Sequence, residues 1–216
     1  MWILIATTLV IASAALGEDD ICEKSRWEVC DSGIPFDFPS NEKEFDETCP
    51  IVVDESNCML EHATKCEPDS LGDAAAIAEV LQVVCRKGSS LNEAIRPNVG
   101  CIKENVIKEC SEKVRTVHTA YREYLNTTGE GFSDEDWGKS MCMSFAYDLV
   151  CAADAVSVPC GRTVKDAVLE LANRIDWMEK KTLCPRGLRE EIVKDIPTME
   201  MSIAEKLFLE ELLLDI

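Results

Sequence analysis

Apolar side chains recur at three- and four-residue intervals through most of this chain. Leu71, Ala74, Ile77, Ala78, Leu81, Val84 and Cys85 follow the spacing of one helical face, and Gly88 stands where such a helix should stop. A second helix is predicted from about Val99 to Leu125. Ser133-Asp134-Glu135-Asp136 has the form of an N-terminal cap before the stretch Trp137 to Val158, which Pro159 ends. Thr163-Val164-Lys165-Asp166 has the same form ahead of Ala167, Val168, Leu171, Ile175 and Met178. Ser202-Ile203-Ala204-Glu205 opens a last amphipathic run, in which Ile203, Leu207, Phe208, Leu212, Leu213 and Ile216 line one face. Its spacing favours a helix docked on the core over one that recruits a partner. Period-two alternation does not persist, and Ile51-Val52-Val53 is too brief for a strand of consequence. The expected fold is all-α.

The first apolar run differs in kind. Trp2 to Leu16 is broken only by Thr7, Thr8 and Ser13, and charge begins abruptly at Glu18-Asp19-Asp20. That length suits the core of a signal peptide and is short for a bilayer span. Ala15 and Gly17 fit the small positions before a cleavage site, although no Lys or Arg precedes the run. Residues 1–17 therefore read as a signal peptide, with a mature start near Glu18. No later run is long enough to span a membrane, so the expectation is a secreted, extracellular protein.

All twelve cysteines follow that segment: Cys22, Cys30, Cys49, Cys58, Cys66, Cys85, Cys101, Cys110, Cys142, Cys151, Cys160 and Cys184. In an oxidising compartment their even number reads as six disulfides stapling a helical bundle. Zinc fails as an alternative, because no pair has the C-x₂₋₄-C spacing that closes a tetrahedral site. The cysteines fall into four triplets, 22/30/49, 58/66/85, 101/110/142 and 151/160/184, which suggests a degenerate repeat. Two cysteines eight or nine residues apart on one helix are separated by about 12–13.5 Å along its axis. A disulfide needs Cα atoms within about 7 Å, so the close pairs cannot bridge to each other. Nine residues also turn a helix by about 180°, which places Cys101 and Cys110 on opposite faces, and likewise Cys142 and Cys151. Helices tied on both sides are expected to be central. The connectivity itself stays open among about ten thousand pairings. Three regions result: the signal peptide 1–17, a cysteine-rich helical domain 18–184, and an acidic amphipathic extension 185–216.

The chain's 41 acidic residues against 22 basic ones give a net charge of −19, which disfavours nucleic acid and anionic lipid as partners. A hydrophobic fraction of 46% argues against wholesale disorder. Catalytic parts are scarce. His62 and His118 are the only histidines, neither lies in H-E-x-x-H, and no nucleophile elbow or Walker loop occurs. Cys142 to Asp148 lacks the histidine that a secreted helical phospholipase would place there. Read as a calcium loop, Asp134, Glu135 and Asp136 would put Lys139 where glycine must turn and Phe145 where a bidentate Glu belongs. They read better as a solvated helix start. No catalytic residue, cofactor or metal is expected. Asn126-Thr127-Thr128 is an N-glycosylation sequon after a helix, and glycosylation of Asn126 is expected.

Several segments together carry a family resemblance. They are Cys30 with Ile34-Pro35-Phe36, the acidic run Asn41 to Cys49, Cys58 to Cys66, and Cys85-Arg86-Lys87-Gly88 with the spacing on to Cys101 and Cys110. Cys142, Tyr147, Cys151 and Cys160-Gly161 complete the set. Over roughly residues 22–184 the chain resembles a family of secreted arthropod proteins named for a twenty-seven-kilodalton insect hemolymph glycoprotein, with relatives in spiders and ticks. Relatives often carry a cysteine doublet where Cys142-Met143 stands, and the tail after Cys184 lies outside the pattern. The resemblance implies an extracellular, glycosylated, helical protein of body fluid or gland secretion, without enzymatic activity. The first functional expectation is a non-enzymatic protein that binds a small apolar ligand between helices. The alternative is a protein-directed effector, such as a venom or saliva component, whose acidic surface engages a basic protein.

Overall fold

The structure is a computed structural model that describes residues 21–33, 37–127, 132–175 and 184–215. The signal-peptide segment, Thr128 of the sequon, Met178 and Ile216 lie outside the described residues. Helices and turns account for the described elements, with no strand among them. In chain order the helices are α1 (Arg26–Cys30), α2 (Glu42–Cys66), α3 (Leu71–Cys85), α4 (Ser90–Ile95), α5 (Val99–Thr127), α6 (Asp134–Ser157), α7 (Arg162–Ile175), α8 (Arg186–Asp195) and α9 (Ile203–Asp215).

Local chemistry sets the boundaries. Ser133 caps α6 through a reciprocal capping box with Asp136, as the sequence predicts. Ser202 and Glu205 make the same exchange at α9, Glu205 N donating to Ser202 Oγ at 3.2 Å and Ser202 N to Glu205 Oε2 at 2.9 Å. The cap expected at Thr163 is corrected: α7 begins at Arg162, because Gly161, at φ +95°, reverses the chain and offers its carbonyl to Val164 and Lys165. Ile51-Val52-Val53 lies inside α2, which runs through Pro50. Proline there removes one backbone bond, and the neighbouring Cys49 is held to Cys85 at the end of α3.

The six disulfides divide into two sets that share one scheme. In residues 22–85 the pairs are Cys22–Cys66, Cys30–Cys58 and Cys49–Cys85; in residues 101–184 they are Cys101–Cys160, Cys110–Cys151 and Cys142–Cys184. Within each set the first cysteine joins the fifth, the second the fourth and the third the sixth. The four triplets are thus two pairs of partners, and no close pair bridges to itself. α6 is tied on two sides, through Cys151 to α5 and through Cys142 to Cys184 ahead of α8. The same expectation for α5 is corrected, because both its bridges lead to α6 and the turn after it. Cys160 lies beyond the end of α6, and that turn carries it to Cys101.

Two apolar clusters fill the bundle. The larger lies among α5, α6, α8 and α9, with Tyr121, Met143, Val150, Ile192, Leu209 and Leu213 at its centre. The Tyr121 and Tyr124 hydroxyls both donate to the Asp195 carboxylate, at 2.9 and 3.0 Å, and fix the end of α8 against α5. The smaller cluster joins the two disulfide sets, with Phe45, Leu91, Val99, Ile102, Val156 and Val164 meeting from five helices. Gly100 permits this junction, since a Cβ there would stand 2.5 Å from the Ser40 carbonyl oxygen. The C-terminal run docks on the core, as its spacing favoured, through the Phe208, Leu212 and Leu213 part of the expected face, rotated to take in Leu209. Leu209, Leu212 and Leu213 are buried, whereas Ile203 and Leu207 face solvent.

Candidate functional site

A groove runs between α5, α6 and the segment entering α9. Along α5, Lys108, Glu109, Glu112, Lys113 and Thr116 share one side of the helix. Tyr147 of α6 forms part of the floor, and Glu200, Ser202 and Glu205 stand on the opposite wall. This concavity holds about 860 Å³ and is open to solvent. A smaller one of about 350 Å³ adjoins it along Asn105, Asp154 and Pro159, sharing Glu109, Lys113 and Glu205. Five carboxylates (Glu109, Glu112, Asp154, Glu200 and Glu205) therefore face two ammonium groups, Lys108 and Lys113.

Glu205 is the best-fixed of these groups. Tyr147 donates its hydroxyl to Glu205 Oε1 at 2.9 Å, and the Ser202 backbone N–H donates to the other oxygen. Partial burial works against the carboxylate's charge, but the Ser202 and Tyr147 hydrogen bonds and the Lys113 charge outweigh it and hold the carboxyl below its ordinary range. Burial, followed by the Glu205 hydrogen bond and charge, pushes the Tyr147 phenol above its ordinary value. Glu205 is thus an ionised, preorganised acceptor at the lip of the groove. Lys108 lies 3.5 Å from Glu109, which leaves the other carboxylates in excess over the remaining ammonium group. Such a surface attracts cations and repels anions. No group of three or more His, Cys, Asp or Glu side chains among the described residues is arranged to hold a metal ion.

The residues singled out from sequence lie elsewhere. All twelve cysteines are paired. Asn126 is exposed on the last turn of α5, on the opposite end of that helix from Asn105 and Pro159's concavity. His118 Nε2 lies 3.0 Å from Ser140 Oγ; the histidine is half-buried and Ser140 is only 3% exposed. His62 is buried at the end of α2. Asp136 accepts hydrogen bonds from Ser133, which hold its carboxyl below its usual range, and Glu135 pairs with Lys139 at 3.2 Å. These acids begin a helix and do not form a calcium loop. Sequence reasoning missed the groove because its charges on α5 look like an ordinary solvated face. Tyr147 and Glu205 meet across 58 residues of chain, which no local pattern announces.

Among the described residues no helix is long and apolar enough to cross a membrane. No family model, curated protein or solved structure matches the chain.

Proposed function

We propose that this is a secreted, glycosylated, non-enzymatic protein that engages a cationic partner, a basic protein or peptide segment, through the groove between α5, α6 and α9. The observation that carries the reading is the excess of carboxylates over ammonium groups in one concave surface, on a chain of net charge −19. Exposed ion pairs contribute only about 0–1 kcal/mol each, so affinity must come from several carboxylates acting together and from long-range attraction that speeds encounter. Six disulfides support secretion, as does the apolar leader. The cysteine spacing that resembles the arthropod hemolymph family supports a place in body fluid or gland secretion.

A lysine-rich peptide titrated into the protein by calorimetry should bind saturably, and binding should weaken steeply between low and physiological salt. Glu109→Gln and Glu112→Gln together should weaken it further, without loss of helical circular dichroism. Binding that ignores both salt and these substitutions would refute the groove as the site.

A small apolar cargo is the second reading, favoured by one observation. No disulfide ties α9, yet its Leu209, Leu212 and Leu213 cover the larger apolar cluster. An apolar fluorescent probe taken up by the protein and displaced by lipid extract would favour that reading over the first.

A further inference from the structure

The two disulfide sets follow one scheme but differ at their outermost bridge. In the second set, Cys101 and Cys160 are both half-buried beside α5, and the Asn105 side-chain amide lies 3.5 Å from one sulfur and 4.0 Å from the other. In the first set the corresponding long helix is replaced by the turn at residues 21–24 and by α1, which spans only 5 residues. Cys22 stands in that turn. All twelve cysteines lie among the described residues, and Cys22 alone of them is exposed.

The strap that carries Cys22 has three further anchors. His62 is only 3% exposed, and its Nε2 lies 3.2 Å from the carbonyl oxygens of both Ile21 and Lys24, on either side of Cys22. Facing two acceptors, that nitrogen carries the proton and donates. At the strap's far end the Cys30–Cys58 bridge, with Cys30 buried, fixes α1 to α2. Arg26 on α1 also reaches Glu67, the residue after Cys66, at 3.7 Å. With the Cys22–Cys66 bond open, the strap would still be held at both ends.

We propose that Cys22–Cys66 is an exchangeable disulfide, at which a thiol from solvent couples covalently to Cys22 while the rest of the fold stays intact. The attacking thiolate forms a new S–S bond to Cys22 Sγ. The Cys22–Cys66 bond breaks, its electron pair leaves on the Cys66 sulfur, and that thiolate takes up a proton from water. One disulfide replaces another, so no external oxidant is needed. In the reverse step the Cys66 thiolate attacks Cys22 and expels the incoming thiol. His62 keeps the two sulfurs within reach and makes the opening reversible.

The test uses the fully oxidised chain and reduced glutathione under native conditions, with acid quenching, alkylation and peptide mass spectrometry. The expected result is a glutathione adduct on Cys22 and an alkylated Cys66, forming at least tenfold faster than any thiol at Cys101 or Cys160. Far-ultraviolet circular dichroism should not change. Equal rates at the two outermost bridges, an adduct confined to Cys66, or opening that tracks loss of helix would each overturn the proposal. His62→Phe should slow reclosure after glutathione is removed, and unchanged reclosure would remove His62 from the device. Should that variant fail to fold, Cys22→Ser with Cys66→Ser supplies the check. It should keep the other five bridges and its helical spectrum, and loss of either would show that the opening is not local.

Discussion

The two three-bridge units share a pairing order and differ in what lies beneath it. In the first, α2 spans 25 residues yet buries only Phe45, Cys49, Ser56, His62 and Ala63, and α3 adds Ala74, Ala78 and Val80. In the second, α6 spans 24 residues and buries Met143, Ala146, Tyr147 and Val150, among others, against Tyr121 and Leu125 of α5. α8 and α9 then cover that cluster with Ile192, Leu209 and Leu213. A layer built mainly of alanine and cysteine, with Phe45 and Val80, removes less apolar surface from water than one of leucine, methionine and tyrosine. The same covalent scheme therefore does different work in the two units. It compensates for a thinner core in the first and supplements a larger one in the second.

Deleting one bridge from each unit tests that difference most severely. Cys49–Cys85 and Cys110–Cys151 span similar separations, 36 and 41 residues, and chain entropy assigns each about 4 kcal/mol. If bridges alone mattered, the two deletions would look alike. We expect Cys49→Ala with Cys85→Ala to abolish hydrogen-exchange protection through α2 and α3 while α5 and α6 stay protected. Cys110→Ala with Cys151→Ala should lower the melting temperature but keep protection throughout the larger cluster. Matching exchange patterns for the two variants would erase the distinction between the units.

The next effect in size concerns α9, the element that belongs to the second unit without any covalent tie. Leu209 and Leu213 are 0% and 1% exposed, whereas Leu207 is 60% exposed on the same helix. Leu213→Ala should destabilise the protein by about 2–5 kcal/mol, and Leu207→Ala should fall within about 0.5 kcal/mol of the parent. Truncation before Pro197 should lower the melting temperature more than Leu213→Ala does. Thermal melts followed by circular dichroism distinguish these cases, and equal costs at Leu207 and Leu213 would mean that α9 is not docked.

These contrasts show where the sequence was readable. α3, α5 and α6 each carry a run of apolar positions at helical spacing, and the Ser133 cap marks where α6 begins. α2 carries no such signal, because Pro50 and the β-branched run Ile51-Val52-Val53 interrupt it and its burial is slight. What anchors it is the pair of bridges to α1 and α3, which are tertiary facts. The buried face of α9 was ambiguous for the opposite reason: leucines surround that helix, so the spacing fits more than one face. The triplets suggested a repeat, and helical geometry forbade the close pairs from bridging to each other, but the pairing across triplets required the fold. The groove lies deeper still, since Glu205 acquires its role only when α9 packs beside Tyr147.

The smallest expected effect probes the junction between the units. Arg96, in the turn that leads into α5, donates two hydrogen bonds to the Asp46 carboxylate of α2, at 2.8 and 2.9 Å, and also pairs with Glu42. The Arg96 hydrogen bonds outweigh the opposing effect of burial and hold the Asp46 carboxyl below its ordinary range, and Asp46 raises Arg96 in turn. A depressed carboxyl contributes stability above its unfolded value, 3.8, and loses that contribution as the pH falls through the folded value. Arg96→Gln should therefore be less stable than the parent at neutral pH, and the gap should close as the pH falls from about 4 towards about 2. It should be a small gap, because about a third of each side chain is exposed, at 32% and 34%, and solvent screens the pair. The same junction holds Phe45, Leu91, Val99 and Val156 in one apolar cluster. If apolar contact binds the units, denaturant titrations of Arg96→Gln should show the two units still unfolding together at every pH. A gap undiminished at about pH 2 would show that Arg96 acts through packing and not through its charge. Separate unfolding of the two units in this variant would make the ion pair the bond between them, and would reverse the order of forces argued for the junction.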